Sequence, residues 1–109
     1  MIRDDVARLL QKAIRRAQKS GALREFDIPT IPVERPTQEG HGDLASPICL
    51  QLARLARMAP MRIAEIIVPL LPRIDYVSKV EVAPPGYINL YLDQQWLAGQ
   101  VKTILDAGD

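Results

Sequence analysis

The sequence predicts a two-layer α+β domain, with a small, largely antiparallel sheet and helices packed on one of its faces. Three observations lead there. Residues 2–19 carry their apolar side chains on one helical face. Residues 77–83 and 86–92 alternate apolar and polar side chains on either side of a proline-glycine turn. Between these ends lie two more helical stretches and a single extended one, so strands are few and the last two are sequence neighbours.

The first helix spans residues 2–19. Ile2, Val6, Leu9, Leu10, Ala13, Ile14 and Ala17 fall on one face, with Arg8, Lys12, Arg15, Arg16 and Lys19 opposite. Asp4 and Asp5 at its start and basic residues at its end suit the helix dipole. Ser20-Gly21 supplies the stop. Pro29, Pro32 and Pro36 exclude helix from the next segment, and Ile31 and Val33 favour a short edge strand over 30–35. Residues 36–43 read as a loop with room for a further short strand.

A second helix is expected over 44–57, with Leu44, Ile48, Leu52, Leu55 and Ala56 on one face. Asp43 reads as its N-cap, and Pro47 is tolerated in its first turn. Ala59-Pro60 breaks it. Pro60 suits the first position of a third helix, which runs through Ile63, Ala64 and Ile67 and ends or kinks near Val68, ahead of Pro69. Val80 and Val82 set the face of a strand over 77–83, and Pro85-Gly86 gives the chemistry of a tight turn. Ile88, Leu90 and Leu92 line the core face of the returning strand. Asp93 then caps a last helix, with Leu97, Val101, Ile104 and Leu105 on one face and Gly108 as its stop. No repeat or linker divides residues 1–109, which read as one domain.

Composition narrows the function. The chain is 48% hydrophobic and 25% charged, the balance of an ordinary globular domain. No apolar run approaches the roughly 20 residues that span a bilayer, and charges interrupt the first twenty residues too often for a secretory signal. A lone cysteine, Cys49, set among Ile48, Leu50 and Leu52, reads as a buried thiol in a reducing compartment. The net charge of +1 hides an asymmetry: residues 1–24 carry seven basic side chains against two acidic ones, a net of +5. The basic stripe of the first helix can track a phosphate backbone or simply face water.

Catalytic and metal chemistry find little support. His41, Asp43, Ser46 and Cys49 are close in sequence, as a triad would need. Asp43 and Ser46, however, sit where helix capping uses the same groups, and Cys49 points with the apolar set. One histidine and scattered carboxylates give no metal-ligand spacing, and the loop at 39–43 lacks a phosphate-loop ending. The more informative feature is the row Tyr87, Asn89 and Tyr91, which shares the face opposite Ile88, Leu90 and Leu92. Such a row can stack on a base and bond its edge, or can be the polar side of a half-buried strand.

Separated segments together carry a resemblance. His41-Gly42-Asp43-Leu44-Ala45-Ser46, a helix, Pro60-x-x-Ile63-Ala64-Glu65, and then Val80-Glu81-Val82-Ala83-x-Pro85-Gly86-Tyr87-Ile88-Asn89 resemble the N-terminal additional domain of arginyl-tRNA synthetase. The likeness covers roughly residues 1–107. It implies an α+β domain ahead of a class I catalytic domain, docking the D-loop at the outer corner of tRNA. It implies that Tyr87 packs on a D-loop base, that Asn89 bonds the base edge, and that Gly86 lets the backbone approach. Lys12, Arg15, Arg16 and Lys19 are then the candidates for phosphate.

Pro47 stands where the family often has Asn, and Pro84 where it usually has Gly. The signature motifs of a class I catalytic domain do not occur, so the chain is expected to be the N-terminal piece of a longer cytoplasmic ligase, beginning at its native Met1. ATP and magnesium are expected only in that ligase's catalytic domain. The rival readings are a module that docks on its own catalytic domain through Tyr87 and Tyr91, and a small enzyme using His41.

Overall fold

The computed structural model describes residues 2–36, 42–93 and 95. Helix α1 spans Ile2–Ser20 and buries Val6, Leu10, Ala13, Ile14 and Ala17, the face its periodicity marks. Gly21 follows with φ +85°, the left-handed turn in which glycine ends a helix without strain. Leu23 then folds back into the core, its N–H donating to the Ala17 carbonyl at 3.1 Å. Each of Val6, Leu10 and Ile14 contributes about 1.5–3 kcal/mol by leaving water.

Three strands form one antiparallel sheet: β1 (Leu44–Ser46), β2 (Val77–Ala83) and β3 (Tyr87–Leu92), in the order β1-β3-β2. β3 is central, with Leu44, Ala45 and Ser46 opposite Leu90, Asn89 and Ile88 on one side. On its other side Val80, Glu81 and Val82 face Leu90, Asn89 and Ile88. Helices α2 (Ile48–Ala56) and α3 (Pro60–Ile67), with a 3-10 turn over Val68–Leu70, cover the face carrying Ile88 and Leu90. α1 packs on α3 and on the 3-10 turn. One core joins Leu10 and Ile14 of α1, Ile48 and Leu52 of α2, Ile63 and Ile67 of α3, and Ile88 and Leu90 of β3. The α+β class and the placement of the helices are as the sequence predicts.

Two elements depart from it. The expected helix over 44–57 divides at Pro47, and Leu44–Ser46 pairs with β3 instead. Proline drives the residue before it out of the helical region, so Ser46 is extended and the helix begins at Ile48, with Pro47 outside its first turn. Leu55, expected on the buried face, is 41% exposed. The expected strand over 30–35 shrinks to one bridge, Glu34 with Ala45, closed by two hydrogen bonds of 2.8 Å. Pro32 and Pro36, lacking N–H donors, prevent the ladder from extending.

Asp43 does not cap α2. Its N–H donates to the Leu90 carbonyl at 2.9 Å, and its carboxylate accepts from the Leu92 N–H at 2.8 Å. The N–H of Ile48 is met instead by the buried Ser46 hydroxyl at 3.2 Å. The last predicted helix and His41 lie outside the described residues, apart from Gln95.

Candidate nucleic-acid interface

The hairpin joining β2 and β3 is a four-residue turn, Ala83-Pro84-Pro85-Gly86, closed by the Gly86 N–H donating to the Ala83 carbonyl at 2.9 Å. The Pro84–Pro85 peptide is cis. Gly86 has φ +148° and lies on the first residue of α3. An added Cβ would overlap the Pro60 side chain and lie 3.1 Å from the Pro60 carbonyl carbon. Gly86 is thus required where the hairpin tip meets the helix layer, a close approach within the domain itself.

Tyr87, Asn89 and Tyr91 share the sheet face away from the core, as alternation requires, but they are not equally open. Asn89 is 5% exposed, set between Ala45 of β1 and Glu81 of β2. Ala45 is in turn bridged to Glu34, which widens the sheet by one position beyond β1. The expected exposed row is therefore interrupted. Tyr91 is engaged with β2: the Lys79 ammonium lies 4.7 Å from its ring centroid and 3.1 Å from the Glu81 carboxylate. A hydrogen bond between Tyr91 and Glu81 holds the Glu81 carboxyl below its ordinary range, with Lys79 adding to the effect. The same bond raises the Tyr91 hydroxyl.

Tyr87 differs from both. It is half-buried at the first position of β3, opposite the small Ala83, so no bulky cross-strand neighbour covers its ring. Among the described residues no ring contact or ion pair engages it.

The basic residues of α1 are exposed, as expected, and Arg16 is engaged away from the hairpin tip. Arg16 donates to the Leu70 carbonyl at 3.0 Å. Leu70 lies ten residues beyond Pro60 on a continuous helical stretch, roughly 15 Å along the axis. Lys12, Arg15 and Lys19 belong to the same helix. The basic side chains that flank Pro60 are others: Arg57, just after α2, and Arg62, in the first turn of α3. Sequence reasoning passed over both, because nothing local connects them with a turn some twenty-five residues later. The one available sign is Pro60, which marks the start of α3 but not the contact it makes with Gly86.

Of the residues weighed for a triad, the three described ones, Asp43, Ser46 and Cys49, have other engagements. Asp43 is held by β3, Ser46 is buried against the start of α2, and Cys49 is fully buried, its thiol pushed up to about 12 by burial. Among the described residues no three His, Cys, Asp or Glu side chains gather as a metal would need. No described helix is long and apolar enough to cross a membrane.

Fold and surface together define a two-layer α+β domain that presents a hairpin edge. Residues 4–92 match the family described as the arginyl tRNA synthetase N terminal domain. The arginine–tRNA ligase of Desulforamulus reducens is 40% identical over 105 residues, which is 95% of this chain and 19% of that protein. The arginine–tRNA ligase of Anoxybacillus flavithermus is 42% identical over 92 residues, 84% of this chain and 16% of that protein. The fold is similar to part of Thermus thermophilus arginyl-tRNA synthetase, with a TM-score of 0.71 at 24% identity, covering 92% of this chain and 15% of that one. The chain belongs to the arginyl-tRNA synthetase N-terminal domain family. It spans less than a fifth of the length of these curated relatives.

Proposed function

We propose that this domain anchors tRNA for an arginine–tRNA ligase by gripping the D-loop corner, and so serves arginyl-tRNA aminoacylation in the cytoplasm without chemistry of its own. Tyr87 carries the reading: an aromatic ring at the hairpin exit, half-exposed and opposite only Ala83, is a platform on which a base can stack. Asn89 is two positions along the same face. The residue is 5% exposed, so on this reading the base edge must enter the face between Tyr87 and Tyr91 to reach its amide. The exposed Lys12, Arg15 and Lys19 of α1 add longer-range attraction for the RNA backbone. Holding the corner of the tRNA helps deliver its distant acceptor end to a catalytic domain, so the contribution is positional.

On this reading ATP and magnesium are bound by the catalytic domain of the parent ligase, which is the second partner of this chain. The test is Tyr87→Ala in that full-length ligase, read as the KM for tRNA and the melting temperature. A raised KM with an unchanged melting temperature supports base stacking. A lowered melting temperature with an unchanged KM supports the rival in which Tyr87 docks the domain on its own catalytic body.

A further inference from the structure

We propose that the segment following Asp93, with its apolar stripe of Leu97, Val101, Ile104 and Leu105, docks as a helix in the groove between α1 and β2 and completes the helix layer. The groove is the first argument. α1 packs on α3 and on the 3-10 turn, and a gap of about 340 Å³ remains between α1 and β2. Leu9, Val68, Leu71, Ile74, Val77 and Val80 line it. All six are half-buried. Leu9 belongs to the face of α1 that its spacing marks for the core, yet Val6, Leu10, Ala13, Ile14 and Ala17 are buried there and Leu9 is not. An apolar strip between a helix and a sheet edge is where a further helix of the same layer packs.

The course of the chain is the second argument. β3 ends at Leu92, directly opposite Val77, which lines the groove. The Asp93 N–H donates to the Tyr76 carbonyl at 2.7 Å, so the chain leaves the sheet beside the strand that forms the groove wall. Gln95 is already helical. So short a connection sets a helix next to the strand it leaves. Leu97 then stands roughly 6 Å from this exit along a helix axis, and Leu105 roughly 18 Å.

Chemical match is the third argument. Leu97, Val101, Ile104 and Leu105 fall at i, i+4, i+7 and i+8, a single stripe, with Gly99, Lys102 and Asp106 opposite. Such a stripe needs an apolar surface. The other face of the sheet at this end presents Lys79, paired with Glu81 and set against the Tyr91 ring, so the groove side is the apolar one. The exposed Arg73 at the rim suits a segment in which Asp106 and Asp109 outnumber Lys102. Docked there, the segment fixes the course of the chain beyond the domain, and with it the position of a bound tRNA relative to whatever follows. That consequence rests on the tRNA reading above; the docking does not.

The experiment is hydrogen exchange, read by mass spectrometry, in the full-length ligase. It compares the unaltered protein with Leu9→Glu, Ile104→Glu and the double variant, each at two protein concentrations. Docking predicts slow exchange of the amides over 97–107 in the unaltered protein. Either substitution should speed them by about tenfold or more, and the double variant should add nothing further, because both break the same contact. The amides of β3 should keep their rates, since Leu9 lies outside the core that holds this strand. If Leu9→Glu speeds those as well, Ile104→Glu alone decides. Effects that multiply in the double variant, or amides over 97–107 that exchange alike in all four proteins, overturn the proposal. Protection that appears only at the higher concentration also overturns it and assigns the groove to a second copy of the chain. These rates are read without tRNA, so the docking and the tRNA reading fail separately.

Discussion

The Asp43 carboxylate accepts the N–H of Leu92 at 2.8 Å, while the Asp43 N–H donates to the Leu90 carbonyl at 2.9 Å. The pair ties the loop before β1 to the last turns of the central strand. Gly42, at φ +86°, allows it, since a Cβ there would lie 2.8 Å from the Leu90 carbonyl oxygen. The glycine-aspartate step is therefore a clasp on β3. Asp43→Ala should cost about 1–2 kcal/mol, the lower part of the range for a charge-assisted bond because the carboxylate is exposed. Urea unfolding measures that loss, and hydrogen exchange should show faster exchange at the Leu92 amide.

A side chain at Gly86 has no room. Gly86→Ala places a methyl group on Pro60 and strains a backbone at φ +148°. The hairpin must then lift from α3, at a cost of about 2–3 kcal/mol. The melting temperature should fall, and tRNA binding with it, because Tyr87 follows Gly86 directly and loses its position. A Gly86→Ala protein as stable as the original would contradict the close packing.

Period and punctuation made most of this fold legible. α1 follows from its apolar spacing, and β2 and β3 from alternation around the proline-rich turn. β1 did not emerge, because Leu44, Ala45 and Ser46 are all buried and three residues show no alternation. Asp43 before an apolar run also looks like a helix cap, and only the sheet reveals that it faces Leu92. Alternation put Tyr87, Asn89 and Tyr91 on one face correctly. It could not show that Asn89, set between Ala45 and Glu81 on the central strand, is buried. The contact between Gly86 and Pro60 was invisible for a similar reason, since it joins residues twenty-six apart in sequence.

Cys49 gives a chemical test of the core. Burial pushes its thiol up to about 12, above the ordinary thiol value. The raised folded value means that its contribution to stability is complete below the ordinary thiol pKa of about 8.5 and fades as pH rises toward the folded value. Alkylation by iodoacetamide should be negligible in the native protein at pH 8 and rapid in urea. Cys49→Ala should reduce the loss of stability between pH 9 and 11, measured by urea unfolding, relative to the unaltered protein.

Glu81 and Tyr91 predict opposite pH limbs. Tyr91 and then Lys79 lower the Glu81 carboxyl, so its contribution is present above the ordinary glutamate pKa of about 4.3 and is lost as pH falls through the lower folded value. Tyr91 is raised chiefly by Glu81, so its contribution holds below about pH 10 and is lost as pH rises through the folded value. Glu81→Gln should flatten the acid limb of a stability profile measured by thermal unfolding. An acid limb unchanged by Glu81→Gln would contradict the bond.

The central claim is that Tyr87 meets a base in the D-loop. The most direct measurement is a double-mutant cycle in the full-length ligase, crossing Tyr87→Ala with tRNA-Arg made abasic at each D-loop position in turn. Stacking predicts one position at which the two losses fail to add, with a coupling energy of about 1–3 kcal/mol. Losses that add at every D-loop position would contradict it.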